Sequence, residues 1–203
     1  EAGSAYTWCE NAHELRLTPW HNDPVSDTGG EAIFLRDEDS GQVWSPTSQP
    51  ASSDPRDLGD DGAAPPYRVR HGFGDSVFEH DEAAVHSELT VFVALDDAVK
   101  FSRLVLRNDS PRRRRLSATG YVEWVLGALR EKNAQHVHTE LAADNGALYA
   151  RNRYSNDFGD WIAFFDVDPA DRIAGSVTAD RDEFIGRNGS LRRPAALRRA
   201  GLS

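Results

Sequence analysis

The run from Tyr6 to Pro46, YTWCENAHELRLTPWHNDPVSDTGGEAIFLRDEDSGQVWSP, crowds aromatic, amide and charged side chains into a stretch with little aliphatic content. Tyr6, Trp8, Trp20 and Trp44 can offer flat apolar faces, while Asn11, Arg16, Asn22, Asp23 and Asp27 supply paired donors and acceptors. Hydroxyl-rich ligands need that combination, since a ring stacks on an aromatic face while directional hydrogen bonds fix its orientation. The run is read as a sugar-contacting surface, and catalysis by it is a separate matter.

Other constellations admit two readings each. Asp23 and Asp27 lie on either side of Pro24 and either contact a ligand or cap turns. Among 33 acidic residues a carboxylate pair at glycosidase spacing arises by chance, so no acid and base are assigned. His136, His138 and Glu140 alternate, and a strand would project them to one face as metal ligands or as an ordinary solvated surface. No further ligand at a recognisable spacing supports the metal. Cys9 has no CxxC companion and reads as a small buried hydrophobe. Arg112 to Arg115 lead into a strand, where they would be solvated or form salt bridges between domains rather than bind phosphate. Gly186-Arg187-Asn188-Gly189 reads as a turn with positive φ angles. In Tyr67-Arg68-Val69-Arg70-His71-Gly72-Phe73-Gly74, Arg68 and Arg70 share one strand face, where a guanidinium holds two sugar hydroxyls or pairs with a carboxylate inside the sheet.

The elements that must carry these residues are strands. Leu89, Val91, Val93 and Leu95 alternate on one face, and Leu116, Ala118, Val122, Trp124 and Leu126 on another. Further strands are expected at 32–36, 42–45, 67–73, 76–80, 99–108, 136–141, 147–152, 161–166 and 172–178. Asp39-Ser40-Gly41, Asn108-Asp109-Ser110-Pro111 and Asp144-Asn145-Gly146 have hairpin chemistry. Residues 47–66, rich in Pro, Gly, Ser and Asp, read as a long exposed loop interrupting a single β-sandwich.

Composition narrows the function. A net charge of −10 repels phosphate backbones, so nucleic acid is not an expected partner. One cysteine excludes an intramolecular disulfide framework. No run approaches the roughly 18 apolar residues of a membrane span, and the N-terminus lacks the basic start and apolar stretch of a signal peptide. The chain contains no methionine, and we expect it to be part of a longer protein.

Four ordered segments, RLTPWHNDPVSDTGGEAIFLRDEDSGQVWSPT, YRVRHGFG, YVEWVLG and RDEFIGRNGSL, resemble the N-terminal β-sandwich of the glycoside hydrolase family 94 phosphorylases, formerly glycosyltransferase family 36. The likeness runs from Tyr6 to Leu191, and the TPWHNDPVSD variant is most similar to the phosphorylase-like part of cyclic β-1,2-glucan synthases. The resemblance implies an all-β fold, an antiparallel β-supersandwich of galactose-mutarotase type over residues 1–191. Residues 192–203 would then begin a linker to a helical (α/α)6 barrel. In the family the acid aspartate and the phosphate pocket belong to that barrel, which implies a noncatalytic domain needing no cofactor or metal. Its implied partners are a β-glucan or gluco-oligosaccharide, the adjoining helical catalytic domain and a second copy in a homodimer. Its implied setting is the cytoplasmic part of an inner-membrane-associated bacterial enzyme.

The sugar-binding residues expected on these grounds are Arg16, Trp20, Asn22, Asp23, Asp27, Arg70 and His71. Of these, Arg70 and His71, with Gly72, match the family's Arg-His-Gly motif. One departure stands out, because the family pattern NSRENRLTPW meets His13 and Leu15 here in place of Arg and Asn. Sugar contact is therefore expected from Arg16 onward. Two alternatives accompany this reading. One is a self-sufficient mutarotase-like or glycosidase activity using His71, His86, His136 or His138 with a carboxylate, and the other is a purely structural, dimerising domain.

Overall fold

Alternation of apolar and polar side chains organises the central hairpin of the computed structural model, which describes residues 6–21, 25, 29–51, 64–168 and 175–199. Strands β4 (Asp75–Glu82) and β5 (Val85–Val93) pair antiparallel around Ala83 and Ala84, both at positive φ. Alanine pays sterically for that conformation. Two contacts hold the turn, Asp109 N–H to the Ala84 carbonyl at 2.9 Å and Arg114 Nη1 to the Ala83 carbonyl at 2.7 Å.

The chain forms two compact units, one on residues 32–120 and the other on residues 5–31 with 121–203. In the first, β3 (Tyr67–His71) and β6 (Lys100–Asn108) flank the hairpin in the antiparallel order β3-β4-β5-β6. Phe78, His80, Glu82, Val85, Ser87 and Leu89 share its buried face. A second sheet has the order β2-β1-β7, from β1 (Glu31–Asp37), β2 (Val43–Trp44) and β7 (Leu116–Val122). Leu35, Trp44 and Val85 form a fully buried cluster, with Leu104 and Leu116 packed on it. Each such side chain contributes about 1.5–3 kcal/mol by leaving water. The turn Asp39-Ser40-Gly41 closes β1 and β2 as expected, with Gly41 at φ +75 and Asp37 Oδ1 accepting from the Asp39 N–H at 2.9 Å.

The second unit carries β8 (Val137–Leu141), β9 (Leu148–Asn152) and β10 (Ala163–Phe165) in the antiparallel order β10-β9-β8. Two short helices accompany it, α1 (Arg130–Asn133) and α2 (Arg181–Ile185). Asp180 caps α2 by accepting from the N–H groups of Asp182 and Glu183, and Gly186 ends it at φ +91. Tyr121 stacks on Phe184 at 5.0 Å, and Ala196 and Leu197 of a 3-10 turn (Ala195–Arg198) are buried. No helix among the described residues is long and apolar enough to cross a membrane.

Several expectations need correction. Trp44 offers no surface to a sugar, because it is completely buried opposite Leu35. The strand expected to run on through Trp124 and Leu126 stops at Val122, and Leu126 adopts φ +48, which extended backbone forbids. Asn108 to Pro111 closes no hairpin, since β6 pairs with β5 while β7 joins β1 in the other sheet. Residues 175–178 form no strand, and 172–174 lie outside the described residues. The loop's first residues are only partly exposed, with Thr47 and Ala51 buried, Ser48 exposed and the Ser45 N–H donating to the Ala51 carbonyl at 3.0 Å. Cys9 is half-buried rather than enclosed, and burial followed by the Glu10 charge pushes its thiol pKa up.

Candidate functional site

Arg16 is set by backbone pairing before its side chain makes any contact. It bridges Trp8 on one side and Gly127 on the other, exchanging N–H to carbonyl bonds of 3.3 and 3.1 Å with Gly127. Its Nε donates to the Ala12 carbonyl at 3.2 Å and its Nη1 to the Ala128 carbonyl at 3.0 Å. So held, the guanidinium carbon lies 5.4 Å from the centre of the Trp20 ring, in cation–π range. Trp20 itself is 49% exposed.

The support beneath this pair is close-packed. Thr18 is buried, accepts from the Thr7 N–H at 2.9 Å and donates to Glu31 at 3.2 Å. A side chain at Gly30 would meet Pro19 Cδ at 2.4 Å, so only glycine lets the backbone pass under Pro19. Gly127 is equally constrained, because a Cβ there would meet the Asn133 amide at 2.6 to 2.8 Å. Asn152 fixes this corner by donating to the Leu126 carbonyl at 2.9 Å and to Asn133 Oδ1 at 2.8 Å.

Arg16, Trp20, His21, Leu129, Arg130 and Glu131 border a hollow of about 50 Å³. A small-molecule pocket is usually about 300 Å³ or larger, so these residues make one wall and not an enclosed site. Glu123 accepts from Arg130 Nε, and its charge is the second cause, after burial, that pushes Tyr121 up to about 12. Arg130 and Glu131 were missed in the sequence because they come from α1, far along the chain from Trp20. Their only signal was the YVEWVLG segment leading into α1.

Arg70 and His71 belong to the first unit. Consecutive strand residues point to opposite faces, so they do not grip one group together. Arg70 Nη1 pairs with Glu79 Oε2 at 2.8 Å while remaining 63% exposed, which is the ion pair within the sheet. His71 Nδ1 lies 2.8 Å from Ser76 Oγ, with its ring edge-on to Phe78. The structure thus brings Arg16 and Trp20 together. Asn22, Asp23 and Asp27 lie outside the described residues.

Two buried charged pairs escaped the sequence reading. Asp37, fully buried, accepts from Arg114 Nη2, so Arg114 serves an ion pair within its unit and not between domains. His80 Nε2 lies 3.2 Å from Glu82 Oε2 with both residues buried, Tyr67 stacks on the His80 ring at 3.7 Å, and Gln42 donates to Glu82 at 2.9 Å. Their signal was present in the alternation Phe78, His80, Glu82, which places charge on the apolar face. Among the described residues no group of three or more His, Cys, Asp or Glu side chains is arranged to hold a metal ion, and His136 stacks on Tyr154 at 4.0 Å instead of joining β8.

Comparison with known proteins agrees with this framework. The family model described as glycosyl hydrolase 94, supersandwich domain, matches residues 1–203. The chain is 38% identical over 197 residues to the cyclic beta-(1,2)-glucan synthase NdvB of Rhizobium meliloti (strain 1021), covering 96% of this chain and 6% of that protein. It is 28% identical over 196 residues to the N,N'-diacetylchitobiose phosphorylase of Vibrio furnissii, covering 95% and 23%. With the solabiose phosphorylase of Paenibacillus borealis the identity is 24% over 177 residues, covering 86% and 22%. The chain spans less than a quarter of the length of each of these relatives. Its antiparallel sheets, its scarcity of helix and the match along its whole length agree, and the chain belongs to the supersandwich domains of glycoside hydrolase family 94.

Proposed function

We propose that this chain is a noncatalytic wall of a glucan site, working beside a helical catalytic domain in a cyclic β-1,2-glucan synthase or a related glycan phosphorylase. The observation that carries the reading is the Arg16–Trp20 pair, an exposed aromatic face whose partner guanidinium is immobilised by two backbone carbonyls. Preorganised planar groups of this kind bind a hydroxylated ring at low entropic cost. Because the hollow beside them is small, sugar binding to the isolated chain is weak and the missing surface comes from the neighbouring domain. Asn22, Asp23, Asp27, Arg70 and His71 remain proposed contacts of the same glucan.

Titration of the chain with β-1,2-gluco-oligosaccharides, followed by tryptophan fluorescence, tests the reading. A millimolar response that disappears in Trp20→Ala supports it, and the absence of any response sinks it. Phosphorolysis by the 203-residue chain itself would also refute it, since the chemistry would then lie inside the sandwich.

The dimerising alternative has its own observation. Phe73, at the β3–β4 turn, and Leu95, after β5, are fully exposed at the same end of the four-stranded sheet. Phe92 and Phe101, stacked at 5.1 Å, extend this apolar end. Contiguous exposed apolar residues mark contact surfaces. In sedimentation velocity, Phe73→Ser would weaken self-association while stability changed by less than about 0.5 kcal/mol. Self-association unaltered by Phe73→Ser would remove this role.

A further inference from the structure

The exposed side of β8 and β9 forms a groove of about 320 Å³ lined by His138, Thr139, Glu140, Tyr149, Arg151 and Arg153. It shares no lining residue with the hollow beside Trp20. Strand register explains the assembly, because His138 lies opposite Arg151 and Glu140 opposite Tyr149, so all four project to one face. The volume falls at the lower edge of the roughly 300–1,000 Å³ of small-molecule pockets.

This face carries two guanidinium groups, Arg151 and Arg153. Arg70, Arg107, Arg114, Arg115 and Arg130 each hold a carboxylate. Among the described residues, neither Arg151 nor Arg153 has an ion-pair or side-chain hydrogen-bond partner, although both border the groove. A guanidinium presents parallel N–H donors that match the two oxygens of a carboxylate or phosphoryl group. His138 adds a ring nitrogen beside Arg151. Glu140 accepts from hydroxyls and would repel a bare anion, while the Tyr149 hydroxyl, which accepts from Asn145 Nδ2 at 3.4 Å, sits beside a half-buried apolar ring. His138 and Arg151 at one position of the register and Glu140 and Tyr149 at the next fit a ligand that is anionic at one end and hydroxylated at the other.

We propose that this groove binds a small anionic sugar, with its carboxylate or phosphoryl group between Arg151 and Arg153 and its hydroxyls on Glu140 and Tyr149. The assignment does not rest on the glucan reading of the Arg16–Trp20 surface.

Calorimetric titration of the 203-residue chain with glucose 6-phosphate, glucuronate, inorganic phosphate and glucose tests it. One or both sugar anions bind saturably, more weakly as salt is raised. Arg151→Gln and Arg153→Gln each reduce that affinity about tenfold while keeping the parent melting temperature. Binding of the phosphate ester alone identifies a phosphoryl site, and binding of glucuronate alone a carboxylate site. The proposal is overturned if neither sugar anion saturates, if glucose or inorganic phosphate binds equally well, or if both variants bind like the parent. Absence of any gluco-oligosaccharide response in the parent chain, with anion binding retained, would fail the glucan reading and leave this one standing.

Discussion

The Arg16 guanidinium carbon stands 5.4 Å from the centre of the Trp20 ring, anchored by the carbonyls of Ala12 and Ala128. Lysine at position 16 keeps the charge but has no planar fork with which to reach both carbonyls. Arg16→Lys should cost about 1 kcal/mol in urea denaturation, shift the tryptophan emission and weaken any gluco-oligosaccharide response. Unchanged emission would mean that the pair does not persist in solution.

Arg114→Ala should be among the most damaging single changes in the first unit, at about 3–5 kcal/mol, because it leaves the buried Asp37 carboxylate only the more distant and exposed Arg112, at 3.7 Å, as an ion-pair partner. Burial alone would raise the Asp37 pKa, but the Asp39 N–H, the Arg114 hydrogen bond and charge, and the Ser40 N–H together hold it below the ordinary value. A lowered folded-state pKa means that the stabilisation is complete above the unfolded value of about 4 and is lost as pH falls through the folded one. Acid denaturation of Arg114→Ala should accordingly begin at higher pH than in the parent chain. Coincident acid limbs would contradict the pairing.

The alkaline side should show the mirror effect. Burial first and then the Glu123 charge push Tyr121 up to about 12, and burial followed by the Glu82 charge raises Tyr67 further. Two of the five tyrosines should therefore resist ionisation in an ultraviolet titration until the fold gives way. Here the folded pKa is raised, so the stabilisation is present below the unfolded value of about 10 and is lost as pH rises beyond it. Tyr121→Phe should remove one late-titrating group.

Gly127→Ala tests the corner behind Arg16. The new methyl would lie 2.6 to 2.8 Å from the Asn133 amide and force it off Asn152. A loss of about 1–3 kcal/mol is expected, with a parallel change in Trp20 fluorescence. Full stability in Gly127→Ala would show that α1 yields without affecting the site.

Local chemistry was legible in the sequence wherever a residue acts through its immediate neighbours. Period-two alternation found β5 and the beginning of β7, and Asp39-Ser40-Gly41 and Asp144-Asn145-Gly146 announced their hairpins, because side-chain direction and turn geometry are set within a few residues. The four ordered motifs identified the family and hence the antiparallel supersandwich. Burial was decided only by tertiary structure. Trp44 and Trp20 looked alike in one polar run, yet Val85 and Leu104 pack against the first, which is fully buried, while the second is about half exposed. Arg114 and Arg115 are neighbours, yet one is enclosed with Asp37 and the other lies at the surface, 3.4 Å from Asp39. Composition names the groups a chain can offer, whereas the packing of distant strands determines which of them still face water.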